Sequence, residues 1–307
     1  MTGQLITEPL AEPDAAEEAS LPHGVTPAVV IERVWARNSA LARTVALSLA
    51  LAALLVLGFV AFLFGGSRLS EARAQRNMFK TFQHTLGQAI APVGPAAVGT
   101  PVAVLQIPRI GAHNLVVVEG TSARQLAQGP GHRRDTPLPG QSGVSVVYGR
   151  RVTFGAPFSG LSKLRVGDPL RLITGQGVAR YTVTAIGTGS RPAAATAPNR
   201  LVLATADSAW VPNSTITVSA DLVGAPRPSQ GSLPAISPDE RGMAGGSGSS
   251  LLPLLLWSQL ILMVSLAGTL AVHRWRVLPA YTCLVPCLLA VLWNVYENAA
   301  LTLPNVF

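Results

Sequence analysis

Cysteine is almost absent from this chain of 307 residues: Cys283 and Cys287 are the only two, and both fall in an apolar run near its end. Any folded unit before that run therefore lacks both a disulfide and a thiol. Lysine is nearly missing as well, since Lys80 and Lys163 stand alone and arginine carries almost all of the +8 net charge. Charged residues make up only 12% and aromatic residues 6% of the chain. A nucleic-acid binder clusters its cations or interleaves them with stacking aromatics. Here the arginines are scattered through loops and strand ends, so no nucleic-acid partner is expected. The two cysteines share one helix face, but a zinc site takes about four ligands and no His or acidic residue lies near them. They read as packing or lipid-facing thiols, and no metal or other cofactor is expected.

What the chain does have is long uncharged runs. Residues 1–43 begin rich in Ala, Pro and Glu without periodicity and read as a disordered cytoplasmic tail. From Thr44 to Ser67 no charge occurs, and about 20 apolar residues at 1.5 Å each cross the ~30 Å hydrocarbon layer. A cleavable signal peptide has a shorter apolar core with a small-residue site close behind, so 44–67 is expected to be an uncleaved anchor. Residues 68–100 follow as an amphipathic helix and a Pro/Gly/Ala linker, with Leu69, Ala72, Met78, Phe79, Phe82 and Leu86 on its apolar side. Residues 225–250 are Pro, Ser and Gly and read as a flexible tether. Two further spans, 251–272 and 277–296, are split by His273-Arg274-Trp275-Arg276, and residues 297–307 form a tail.

Cations beside short loops stay cytoplasmic. Arg274 and Arg276 put the hairpin inside, which places the middle of the chain and the tail outside the cell membrane in a three-span protein. Arg68, Arg73, Arg76 and Lys80 flank the outer end of the first span and work against that assignment; the hairpin is given the greater weight.

Residues 101–224 are different in kind. Short alternating runs bounded by turn residues predict strands at 102–107, 115–119, 144–148, 170–174, 179–186, 201–204 and 215–220. Thr121 is positioned to cap a short helix through Gln128. That many strands in so short a block predicts a mainly β fold, a small closed barrel.

Two of these strands carry a resemblance. One reads Val-Leu-Ala-Thr-Ala through Ala206, and the other runs from Tyr148 into Gly-Arg-Arg-Val-Thr-Phe-Gly-Ala-Pro-Phe158. They resemble the active-site strands of sortases, the cysteine transpeptidases that join surface proteins to the envelope of Gram-positive bacteria. Those strands end T-L-x-T-C and lead into A-G-H-R-x-T-Y-G-A-P-F. The likeness extends along the block through Ile107-Pro-Arg-Ile-Gly111, Val118-Glu-Gly-Thr121, Gly129-Pro-Gly-His132 and Pro157-Phe-Ser-Gly-Leu161, and it is most like the actinobacterial class E branch. It implies a sortase-like closed β-barrel ectodomain carried by three transmembrane α-helices.

The same resemblance assigns the chemistry, and the chemistry is missing. The nucleophile position is Ala206, the acid/base position is Arg150, and the family's arginine falls on Thr215. A methyl group cannot attack a carbonyl, and a guanidinium cannot act as a base near neutral pH. His132 is the one alternative acid/base and reads as a loop histidine. Thr205, Asp207 and Ser208 offer oxygens beside the lost thiol, but a hydroxyl needs an adjacent, oriented base. Arg150, Arg151, Thr205, Asp207 and Ser208 are expected to border a groove that takes a peptide carboxylate or anionic wall group without cutting it.

The expected function is that of a catalytically inactive sortase-like protein. It binds cell-envelope peptides or surface proteins, and helices 251–272 and 277–296 dock a membrane partner through the small residues of Ser265–Ala271. An active transpeptidase or peptidase built around His132, and an assembly or chaperone subunit with an empty groove, are the other two readings.

Overall fold

The computed structural model describes residues 27–189, 197–208, 214–233, 235–241, 251–274 and 277–306. The tail up to residue 26, the end of the tether at 242–250 and the cations expected at the hairpin lie outside the residues whose side chains are described. Two compact units divide the chain, 1–56 and 57–307. In the first, helix α1 (Pro27–Ala61) begins well before the expected end of the disordered tail. From Ala42 onward it presents exposed apolar side chains such as Leu47, Leu51 and Leu54, as a lipid-facing helix does.

The second unit opens with a π-helical turn at Phe62–Gly66 and helix α2 (Ser67–Gly87). Eight strands follow: β1 (Pro101–Ile107), β2 (Ala112–Glu119), β3 (Gly131–His132), β4 (Val144–Tyr148), β5 (Pro169–Thr174), β6 (Gly177–Thr188), β7 (Arg200–Ala206) and β8 (Thr215–Val223). They close into a barrel in the order β1-β2-β3-β4-β7-β8-β6-β5. The pairs β2–β3 and β4–β7 are parallel, and the others are antiparallel. Alternate residues point inward, so Leu105, Val117, Val147, Leu172, Val183, Leu201, Leu203 and Val218 meet in one core. The mainly β barrel with three membrane-length apolar helices is therefore present. β3 is an addition to the expected strands. The short helix after Thr121 is α3 (Ala123–Leu126), with Ser122 rather than Thr121 at its N-cap.

Helix α2 lies on the barrel wall. Phe82, with Met78 and Phe79 beside it, packs against Val104, Val116 and Ile173. Gln75 donates from Nε2 to the carbonyls of Val116 (3.1 Å) and Gln128 (2.8 Å), and its Oε1 accepts from the Val116 amide at 2.8 Å. Those bonds close a stretch of β2 that β3, paired only from Val118, leaves open. The docked face is thus Glu71, Gln75, Met78, Phe79 and Phe82. Leu69 and Leu86, expected on it, are 67% and 37% exposed.

The stretch after β8 is not a free tether as far as Arg241. Arg227 bridges Gln141, its amide donating to the Gly140 carbonyl at 2.9 Å and its carbonyl accepting from Ser142 at 3.0 Å. The Leu233 amide donates to the Arg134 carbonyl at 3.0 Å, and Thr121 Oγ1 donates to the Glu240 carbonyl. Ser237 and Glu240 form a capping box at a single 3-10 turn. Backbone bonds hold this strap where side chains offer nothing to pack.

Helices α4 (Leu251–Arg274) and α5 (Val277–Ala300) form a pair. Gly268 of α4 serves that pair: a Cβ there would lie 2.4 Å from Leu284 of α5. Cys283 and Cys287 are exposed on the outside of the pair. At the far end of α5, Trp293 and Tyr296 pack on Phe62, and Ser70 donates to Glu297 at 2.7 Å. Helix α5 therefore ends beside the barrel. It runs to Ala300, past the expected boundary at 296, and residues 301–306 continue onto the barrel rather than away as a tail.

Candidate functional site

The end of β7 breaks the period of two, and that break marks the site. Leu201, Leu203 and Thr205 point into the barrel, which places Val202, Ala204 and Ala206 on its outer face. An outward side chain on a barrel is ordinarily wet, yet Ala206 is fully buried. Leu126 of α3 and Val306 cover it, with Tyr148 of β4 alongside. The two strands that carry the resemblance are neighbours in register, Tyr148 opposite Ala204, and Ala206 pairs with Thr215 on β8. The positions that the resemblance gives to the nucleophile and the arginine thus lie side by side, as a methyl group and a threonine.

Arg150 departs from its expected place on an open groove. Its side chain is 0% exposed, turned under the loop that follows β4. One amino group donates to Thr153 Oγ1 at 3.1 Å and the other to the Ala123 carbonyl at 3.3 Å, and the guanidinium lies 4.9 Å from the centre of the Phe154 ring. Its Nε has no partner, and among the described residues no carboxylate pairs with it. Burial lowers the guanidinium from its ordinary value to about 9, because a low-polarity surrounding disfavours the charged form. It is still a cation at neutral pH and has no proton to accept. Phe154 belongs to a cluster with Phe62, Ala123, Ala300 and Leu301, so residues at the ends of the long apolar helices roof this position. Phe154, Gly155 and Ala156 all have positive φ (49°, 74° and 48°), and the Phe154 amide donates to Ser67 Oγ at 3.0 Å. A strained loop is thus held against α2.

Arg151 borders the site differently. Its guanidinium donates to the Ala206 carbonyl at 3.3 Å, and its amide donates to the Val306 carbonyl at 3.2 Å. Thr205 is buried and donates to the Gly149 carbonyl at 2.8 Å. Asp207 accepts from the Ser214 amide at 3.2 Å and from its hydroxyl, which ties the exit of β7 to the entry of β8. Ser208 is half-buried beside it. The oxygens of Thr205 and Asp207 are thus engaged in structural bonds.

His132 is not a loop histidine. It lies in β3, buried, with Nδ1 2.9 Å from Glu119 Oε2 and Nε2 3.0 Å from the Pro137 carbonyl; Thr136 Oγ1 is 3.2 Å from Nε2. Both ring nitrogens are engaged inside the fold, so it is withdrawn from any substrate. The register Glu119 to His132 across β2 and β3 makes the pair. The feature that sequence reasoning missed altogether is the cover: Leu126, Asn305 and Val306. A run of two extended residues after Gly-Pro gives no periodic signal for β3, and nothing in Leu303-Pro-Asn-Val306 signals a barrel contact.

The family model for the sortase domain matches residues 105–223. Sortase D of Bacillus subtilis is 39% identical over 80 residues, 26% of this chain, and the chain spans 38% of that relative's length. Among solved structures, a sortase D5 transpeptidase of Clostridium perfringens is 22% identical with a TM-score of 0.42, covering 50% of this chain and 99% of that one. Sortase E of Streptomyces avermitilis is 29% identical with a TM-score of 0.36, covering 48% of this chain and 100% of that one. The barrel of this chain thus carries a match to the sortase domain, with a Sortase D relative and sortases among its structural neighbours.

Proposed function

We propose that this chain is a sortase-like membrane protein without transpeptidase activity, which holds an extended cell-envelope peptide or surface protein on its barrel. The sortase match brings a transpeptidase-type role with it, and one observation turns that role toward binding: at the thiol position stands a buried methyl, Ala206, under Val306. A thioester needs a thiolate, and the two thiols of this chain lie on α5 instead. Arg150, roofed and cationic, supplies no proton transfer. The geometry of His132 gives the active reading no support.

The test uses the full chain in lipid nanodiscs, an extended peptide and an amine acceptor. No joined peptide and no mass increase on the protein are expected. A covalent acyl adduct, or a peptide joined to the amine, sinks the reading.

The chain is further placed in the cell membrane with its barrel on the extracytoplasmic side. Because α5 ends beside the barrel, its start falls at the opposite membrane face, and the arginines of the sequence there, Arg274 and Arg276, favour the cytoplasm. Alkaline phosphatase fused after residue 307 is expected to be active. An inactive phosphatase there, with an active cytoplasmic reporter at the same point, reverses the orientation.

A further inference from the structure

We propose that the cavity where α5 ends beside the barrel is a headgroup site for an ethanolamine phospholipid. Glu297 and its two asparagine neighbours take the ammonium, and Arg124 takes the phosphate. The proposal is independent of whether the barrel cuts a peptide, holds one or does neither.

The sequence sets this end of α5 apart. From Leu251 to Ala300, Glu297 is the only acidic residue. Spacings of three and four put Asn294 on one helix face with Glu297 and Asn298. Polar side chains grouped on a helix of membrane length mark a ligand or a partner, because lipid tails offer them nothing. In the fold that face closes a cavity of about 410 Å³ together with Ser70 of α2, Arg124 of α3 and Trp257 of α4. A volume of roughly 300–1,000 Å³ is usual for a small-ligand site. The cavity also lies at headgroup level: the apolar run of α5 ends there, and Trp257 stands in the second turn of α4, where indoles favour the membrane interface.

The acceptors in this cavity are left unused by the protein. Asn294 donates from Nδ2 to the Ala290 carbonyl at 2.8 Å, and Asn298 donates to the Asn294 carbonyl at 2.8 Å. Each amide nitrogen is thus turned back onto its own helix, and among the described residues neither Oδ1 has a partner. Glu297 accepts from Ser70 through Oε1 at 2.7 Å, but a hydroxyl does not answer its charge. Among the described residues neither Glu297 nor Arg124 enters an ion pair, although both line the one cavity.

A carboxylate and a guanidinium that share a cavity without touching call for a ligand carrying both signs. A primary ammonium has three hydrogens to donate, which suits one carboxylate and two carboxamide oxygens. The phosphate beside it is a natural partner for the exposed guanidinium of Arg124. A trimethylated ammonium has no hydrogen to give, and a glycerol headgroup has no cation. Choline and glycerol phospholipids therefore meet only part of the demand.

The test uses the full chain in nanodiscs of equimolar ethanolamine, choline and glycerol phospholipids with identical acyl chains, released and weighed by native mass spectrometry. One ethanolamine lipid is expected to stay bound, at least fivefold in excess of either competitor. Glu297→Gln still offers Ser70 a carbonyl oxygen and is expected to lower that retention at least fivefold. Arg124→Gln is expected to lower retention of all three lipids. Both variants should melt with the parent in choline-lipid nanodiscs, and one that melts earlier is replaced by Asn298→Ala, for which the same loss is expected. Equal retention of the three lipids, or an unchanged ethanolamine preference in Glu297→Gln, overturns the proposal. Soluble glycerophosphoethanolamine that occupies the site while no lipid is retained overturns the bilayer as the source.

Discussion

Replacing His132 with Ala is expected to cost the protein about 3 kcal/mol, because it leaves buried acceptors, a carboxylate among them, without their hydrogen-bond partner. The loss follows from what stays behind. Glu119 and His132 are both buried and lie 2.9 Å apart, so the truncation leaves a carboxylate sealed in the barrel without its counterpart. The Pro137 carbonyl loses its neighbour on the other ring nitrogen at the same time. Thermal unfolding followed by circular dichroism should move down by roughly 10 °C or more for a chain of this size. Removing both partners together, as Glu119→Leu with His132→Leu, should recover most of the loss, because two apolar groups of similar shape replace a pair that had to be desolvated. A His132→Ala chain that melts with the parent would show that the pair contributes nothing to the barrel and would reopen His132 as a functional group. The experiment also bears on any activity assay: a variant that loses turnover by unfolding says nothing about catalysis.

How much of this was legible beforehand depends on the kind of bond that holds each part. The strands of the barrel announced themselves because alternating apolar residues have one stable use, an inner face and an outer face. Helix α2 was legible for a like reason, although Leu69 and Leu86 were assigned to a face on which the barrel leaves no room. That Ala206, Arg150 and Thr215 stand where the resemblance would put a catalytic set could be read from the motif alone. Their surroundings could not. Arg150 was expected on a groove because a cation at a strand exit is ordinarily hydrated. It is buried only because Phe62, Ala123 and the pair Ala300 and Leu301, from three distant parts of the chain, close around Phe154 beside it. The strap to Arg241 and the segment 301–306 stayed illegible because main-chain atoms make most of their bonds. Main-chain bonding leaves no period in the sequence.

The second large effect has the opposite sign. Arg150→Met is expected to stabilise the protein by about 2 kcal/mol, within the range seen when buried charge gives way to apolar side chains of similar size. His132 has a carboxylate to answer it; Arg150 has two neutral oxygens and an aromatic face. Burial that lowers a guanidinium from its ordinary value to about 9 corresponds to roughly 5 kcal/mol against the charged form. Against this, Met leaves Thr153 Oγ1 and the Ala123 carbonyl without donors, at about 1–3 kcal/mol for the two together, and it fills most of the space the side chain vacates. The charge wins by a small margin. Its pH dependence has a definite direction: above about pH 9 the folded parent releases the proton while the unfolded chain keeps it, so the parent gains stability as pH rises. The advantage of Arg150→Met should therefore be full at pH 7 and shrink above pH 9. Chemical denaturation at pH 7 and pH 10 reads both points. A variant less stable than the parent at pH 7 would make Arg150 a packing element that the barrel depends on. A more stable one would mean that position 150 holds a cation at the expense of folding, as groups kept for binding commonly are.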